Sequence, residues 1–270
     1  MLQRQPAVAG QFYPGTETSL RTALLQLMPD NRTVAPAPVL GVISPHAGYV
    51  YSGGVAGRLF SRITIPDTVL IIGPNHHGAG AAAALYPEGE WLTPLGTTPV
   101  NGRFNSLLLK HTPYLTTDTV AHQREHSLEV QLPFLQYLRS DVTIAALCLG
   151  HGPYGALCEI GRGIAAAIAE YGSEVLIVAS SDMSHYEAAP LARQKDQLAL
   201  DRAVVLDGKG LLEVCQSNRI TMCGVMPATV MIEAALTGGA KQTELIAYAT
   251  SGDVTGDNER VVGYAAMTVW

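Results

Sequence analysis

The 270 residues carry a formal charge of −6; 47% of them are apolar and only 15% are charged. That balance supplies ample material for a buried core and too little charge to keep a long tail solvated, which excludes a disordered protein. No local cluster of Lys and Arg overrules the acidic average, and no apolar run approaches the ~20 residues of a membrane span, so nucleic acid and membrane are excluded as expected partners. The opening MLQRQPAVAGQFYPG lacks the charged start and apolar core of a secretory signal. Four cysteines, Cys148, Cys158, Cys215 and Cys223, have no paired spacing and suit a reducing compartment. The expected location is cytoplasmic.

In chain order, residues 20–28 have helical spacing, and the apolar runs 39–44 and 68–73 read as buried strands. The Gly- and Pro-rich stretch 86–102 reads as turns or an edge hairpin. A third strand at 142–150 is followed by a helix over 157–171, with Ile160, Ile164, Ala167 and Ile168 at helical spacing. A fourth strand falls at 174–180. Pro227 suits the first turn of a helix running through 228–236, and 244–250 and 261–270 read as the last strands. No repeat, low-complexity tract or linker marks a boundary. These elements predict one α/β domain over residues 1–270, with a central, mostly parallel or mixed sheet flanked by helices.

Open α/β sheets place ligands beyond the carboxyl ends of their strands, and four of these strands run into histidine. Residues 39–44 lead to His46, 68–73 to His76 and His77, 142–150 to His151, and 174–180 to Asp182 and His185. Taken singly, each histidine reads as well as a capping or core residue. If the strands are parallel neighbours, the four converge on one rim, where imidazole is the commonest metal ligand. Cys223 stands just ahead of the helix beginning near Pro227, where amide donors would favour a thiolate; a small core residue is an equal alternative. The other three cysteines fall inside apolar elements and read as buried thiols.

Asp182 and His185 form a D-x-x-H pair that can act as base or as outer partners of a metal site. Glu125 and His126 precede an amphipathic segment and offer a further acid/base pair, or else a solvated helix start. His111 and His122 carry no motif and read as surface residues. The sequence has no G-x-S-x-G elbow, no phosphate-binding G-x-x-x-x-G-K-[ST] loop and no G-x-G-x-x-G after a strand, which excludes those nucleophile and nucleotide folds.

Eight segments, in order, resemble the Memo family, whose prokaryotic branch is known as AmmeMemoRadiSam system protein B. They are AVAGQFYPG at 7–15, SPHAGYVYSGG at 44–54, GPNHHG at 73–78, WLTPLG at 91–96, EHSLEVQLPFLQ at 125–136, SSDMSHY at 180–186, MCGVMP at 222–227 and VVGYAA at 261–266. The resemblance implies a fold shared with class III extradiol dioxygenases, which are non-haem iron enzymes. It also implies a metal triad of His46, His76 and Cys223 with Asp182 and His185 nearby; the doubled histidine leaves His77 as a competitor of His76.

Two imidazoles and a thiolate leave coordination positions open, the pattern of a catalytic centre. The sulfur admits iron, copper or zinc. The expected activity is that of a dioxygenase-type oxidoreductase using one iron or copper ion, with His185 or His126 moving a proton and a small molecule or peptide in the cleft. Two alternatives stand beside it. One is a zinc-dependent hydrolase with Asp182 as base; the other is a non-catalytic adaptor that binds a peptide or phosphopeptide.

Overall fold

The apolar segments that read as strands lie side by side in one sheet. A computed structural model describes residues 2–28 and 38–270. Its strands are β1 (Gln3–Arg4), β2 (Gly41–Ser44), β3 (Thr68–Pro74), β4 (Ala83–Leu85), β5 (Glu90–Thr93), β6 (Gly96–Pro99), β7 (Thr116–Thr117), β8 (Thr143–Leu149), β9 (Val175–Ser180), β10 (His185–Glu187), β11 (Thr243–Thr250) and β12 (Val261–Val269). Its helices are α1 (Glu17–Leu27), α2 (Tyr49–Phe60), α3 (Gly102–His111), α4 (Leu132–Leu138), α5 (Tyr154–Tyr171), α6 (Ala189–Ala203), α7 (Gly208–Ser217), α8 (Val225–Thr237) and α9 (Gly252–Thr255).

The sheet runs β10-β12-β2-β9-β3-β8-β4-β7, with β11 also paired to β12. Its centre, β2-β9-β3-β8, is parallel, while β12 and β4 join antiparallel on either side, so the sheet is mixed. The Gly- and Pro-rich stretch forms the antiparallel hairpin β5-β6, which pairs with β1 in a separate small sheet.

Every residue of β3 is buried, because helices cover both faces of the sheet. Leu70 and Ile72 join one core with Ile160 and Ile164 of α5 and Val230 of α8, while Val69 and Ile71 point to the other core with Leu20, Leu59 and Phe134. The period-two alternation of β-structure thus feeds two apolar layers from one continuous run. Helix ends are set locally. Thr16, Asn101 and Asp207 each accept a backbone N–H at the start of α1, α3 and α7. Gly172 ends α5 in the left-handed conformation that lacks a Cβ penalty.

The structure overturns the surface reading of one of the two motif-free histidines, His122. His111 is partly covered and pairs with the Glu170 carboxylate at 2.6 Å. His122 is fully buried, donating from Nε2 to the Ala84 carbonyl at 3.0 Å, with its ring edge-on to Tyr86 and Trp91. Burial pushes its pKa down to about 4. The folded value lies below the unfolded one of about 6.5, so the neutral ring contributes stability that is present above about pH 6.5 and is lost as pH falls toward 4. In His122→Gln, which keeps a donor for Ala84, the loss of stability measured by urea titration across that window should be shallower than in the parent. An unchanged acid limb would assign it to other groups, such as His126.

Candidate metal centre

Because β2, β9, β3 and β8 are parallel neighbours, their carboxyl ends share one rim, and the loops that follow them meet there. β2 and β3 deliver His46 and His76, and β9, which lies between them, delivers Asp182. Cys223 arrives from the turn ahead of α8. That turn can reach the sheet because its next residue is glycine: a Cβ at Gly224 would overlap the Ser180 carbonyl oxygen and the Ser181 side chain. Ligand atoms of His46, His76 and Cys223 all lie within 4.8 Å of one another. The His46 and His76 rings face edge to plane, with centroids 5.2 Å apart.

The hydrogen bonds fix which nitrogen of each ring is free. Ser180 Oγ donates its one proton to the Ser127 carbonyl at 2.6 Å and accepts from Gln131 Nε2 at 2.8 Å. It can therefore only accept from His46 Nδ1, 2.9 Å away, so that nitrogen carries the ring proton. The lone pair on His46 Nε2 then faces Cys223 Sγ at 3.2 Å. His76 Nδ1 lies 2.9 Å from Glu125 Oε1, a carboxylate oxygen that only accepts, so Nδ1 carries a proton and Nε2 is the nitrogen left for a metal.

The charges follow from burial. His46 is 1% exposed, and burial, with His126 and His76 adding to it, holds its pKa well below the usual imidazole range. Burial alone would raise the Glu125 carboxyl, but the His76 hydrogen bond and charge and the Ser127 and His76 N–H groups outweigh it and hold the pKa well below the usual range. Cys223 departs from the expectation of a pre-formed thiolate. Burial, reinforced by the Asp182 charge, raises its pKa well above the usual thiol range, despite hydrogen bonds from Asp182, Ser181 and Gly224 that pull the other way. Helix-end donors are too weak here to offset desolvation.

The donor set fits a transition-metal ion. Each imidazole keeps its Nε2 for an ion, and a cation would displace the thiol proton, as metal binding generally requires. The 3.2 Å between sulfur and nitrogen is near the ~3.5 Å expected for two ligands of one ion held by bonds of ~2.0–2.3 Å.

The remaining sequence candidates divide. Asp182 accepts from the backbone N–H of His46 at 2.8 Å and of Ala47 at 3.3 Å, so its carboxylate shapes the loop that presents His46. Burial pushes its pKa up to about 6 against those bonds. His185 donates from Nδ1 to the Thr221 carbonyl at 2.9 Å, leaving Nε2 free. His126 stacks on His76 with centroids 4.7 Å apart and stands edge-on to His46 at 5.4 Å. His77 turns away to the Arg124 carbonyl and is not among the grouped donors, while His151 is exposed on the wall of the adjoining cleft.

Comparison with known proteins sets this geometry in a family. The model of the Memo-like protein family matches residues 4–268. A MEMO1 family protein of Methanococcoides burtonii is 42% identical over 98% of this chain and 99% of the relative. The chain belongs to the Memo family. Other members include a MEMO1 family protein of Aquifex aeolicus, 40% identical over 99% of both chains, and one of Methanopyrus kandleri, 38% identical over 98% of both. An uncharacterized Escherichia coli K12 protein of known structure shares the fold alone, with a TM-score of 0.57 at 14% identity, covering 85% of this chain and 99% of that one.

In this Memo chain the EHSLEVQ segment is no solvated helix start: Glu125, Ser127, Glu129 and Gln131 are all fully buried. Glu125 holds His76 and Gln131 holds Ser180, while Ser127 Oγ donates to the Pro74 carbonyl at 3.2 Å. A Cβ at Gly73 would overlap Ser127 Oγ and Leu128, so that glycine lets the segment lie against β3. Glu129 accepts from Arg4, from the N–H groups of Ala7 and Val8, and from the Tyr13 hydroxyl. The Memo motif at 7–15 is therefore a clamp on the segment that carries Glu125. Asp196 of α6, also fully buried, accepts from Ser184 N at 2.8 Å and from the Tyr248 hydroxyl at 2.6 Å, steadying the loop between Asp182 and His185.

Proposed function

We propose that this Memo-family protein is a metal-dependent oxidoreductase in which His46, His76 and Cys223 hold one iron or copper ion. The observation that carries the reading is the convergence of those three donors, each imidazole having its second nitrogen already committed to Ser180 or Glu125. A thiolate with two imidazoles admits iron, copper and zinc; the redox choice is supported by the resemblance of the motifs to a family likened to the class III extradiol dioxygenases.

When bound, such an ion supplies electron exchange and an electrophilic position for a substrate atom. The chain supplies orientation and proton handling. Glu125 and Ser180 fix the two rings, and Asp182 holds the loop that carries His46. His126, with its pKa lowered to about 4 chiefly by burial, is a neutral base at pH 7 rather than an acid. His185, with a free Nε2, is the second acceptor.

Protein purified without chelator or affinity-tag metal should retain about one transition-metal ion per chain by elemental analysis. Reloaded with iron or copper, it should consume oxygen in the presence of an oxidisable small molecule. Turnover under anaerobic conditions with zinc alone would replace this reading with hydrolysis.

A further inference from the structure

His76 and Cys223 form part of the wall of a cleft of about 830 Å³, whereas His46 and Glu125 do not line it and are buried. That cleft gives a ligand a route to an ion held by these donors.

One wall is a single face of α7. Lys209, Leu212, Glu213 and Gln216 follow the i, i+3, i+4, i+7 spacing that places side chains in one row. Ile220, Met222, Met226 and Leu149 line the same cleft as His76 and Cys223. Charge is confined to the rim, where Lys209 and Glu213 pair loosely at 3.6 Å with about two thirds of each side chain exposed. Past that pair the lining is mixed: Asn75, His151, Gln216 and Thr221 bring polar groups, while Leu149, Leu212, Ile220 and Met226 form an apolar stripe that reaches toward the donors, and the flexible thioether of Met226 lets it adapt to shape.

The inner end has the opposite character. A divalent ion with one thiolate and two neutral imidazoles keeps a net positive charge, which attracts an anionic oxygen donor in a partly desolvated site. Resting on the metal reading above, the geometry points to a ligand with an anionic oxygen head at the metal and an aryl or branched-alkyl body lying against Leu212 and Met226. The apolar wall sets specificity and the ion sets orientation, the usual division in small-molecule sites.

Two hydroxamates separate head from body. Acetohydroxamate carries the head alone, and benzohydroxamate adds a phenyl ring. In calorimetric titrations of zinc-loaded protein, benzohydroxamate should bind at least about tenfold more tightly, as burial of one ring against apolar side chains predicts. Leu212→Asp should remove most of that advantage and leave acetohydroxamate within about twofold, and Leu212→Ala, which withdraws the apolar contact without introducing charge, should reduce it in the same direction. Equal affinity for the two hydroxamates, or an advantage untouched by both Leu212 variants, overturns the proposal. So does benzohydroxamate binding of the same strength to metal-free protein. Failure of the metal reading itself is seen separately, in zinc content measured before any hydroxamate is added.

Discussion

Replacing Arg4 by Ala should destabilise the protein by about 3–5 kcal/mol in chemical denaturation, one of the largest effects available outside the apolar core. The guanidinium is buried against Glu129 at 2.6 Å, donates to the His122 and Glu125 carbonyls at 2.8 and 2.5 Å, and lies over the Trp91 ring at 4.1 Å. Its loss leaves the Glu129 carboxylate charged, with no exposure and no cation. Glu129→Ala should cost a similar amount, since it strands Arg4 together with the N–H groups of Ala7 and Val8 and the Tyr13 hydroxyl. The double variant should fall well short of the sum, because each single change leaves an unpaired buried charge and the double change leaves none. Additivity within about 0.5 kcal/mol would mean the two residues do not act as a pair. Because Arg4 also holds the backbone of Glu125, Arg4→Ala should weaken metal retention as well as stability.

The sheet and the strand-end histidines could be read from local signals, whereas the triad of His46, His76 and Cys223 was singled out by the motif resemblance. Uninterrupted apolar runs gave the four central strands to within a residue or two, since strands buried on both faces need no alternation. His46, His76 and Asp182 were legible because they directly follow those runs, and Cys223 because it precedes a helix start. Glu125 was not. In Leu128-Glu129-Val130-Gln131-Leu132 the polar residues alternate with apolar ones as on a half-exposed surface, yet all are buried. The partners of Glu129, Arg4, Ala7, Val8 and Tyr13, are more than 110 residues away in the chain, and no local pattern announces such pairing. His122 was missed for the same reason: its acceptor is the backbone oxygen of Ala84, which any residue type could have supplied. The thiol of Cys223 was misjudged because a helix start is visible in sequence and the depth of burial is not.

Removal of the sulfur and removal of its supporting carboxylate should weaken metal binding in distinguishable ways. Cys223→Ser replaces a soft anionic donor by a hydroxyl, and the loss of affinity should exceed the ~10–100-fold typical of an outer-partner change. Glu125→Gln should fall within that range: one amide oxygen can still accept from His76 Nδ1, but the amide nitrogen then faces the His76 backbone N–H, which Glu125 Oε2 accepts from at 2.7 Å. With cobalt as the probe, sulfur-to-metal charge-transfer absorption should persist in Glu125→Gln and vanish in Cys223→Ser. The pH dependence adds a sign. The Cys223 pKa is raised by burial, so at neutral pH a binding ion must expel the thiol proton, and apparent affinity should rise by up to about tenfold per pH unit as pH increases. Cys223→Ser should lose that contribution to the slope, while Glu125→Gln should keep it at a lower affinity. An equal slope in both variants would mean that the proton released comes from elsewhere and that sulfur is not a ligand.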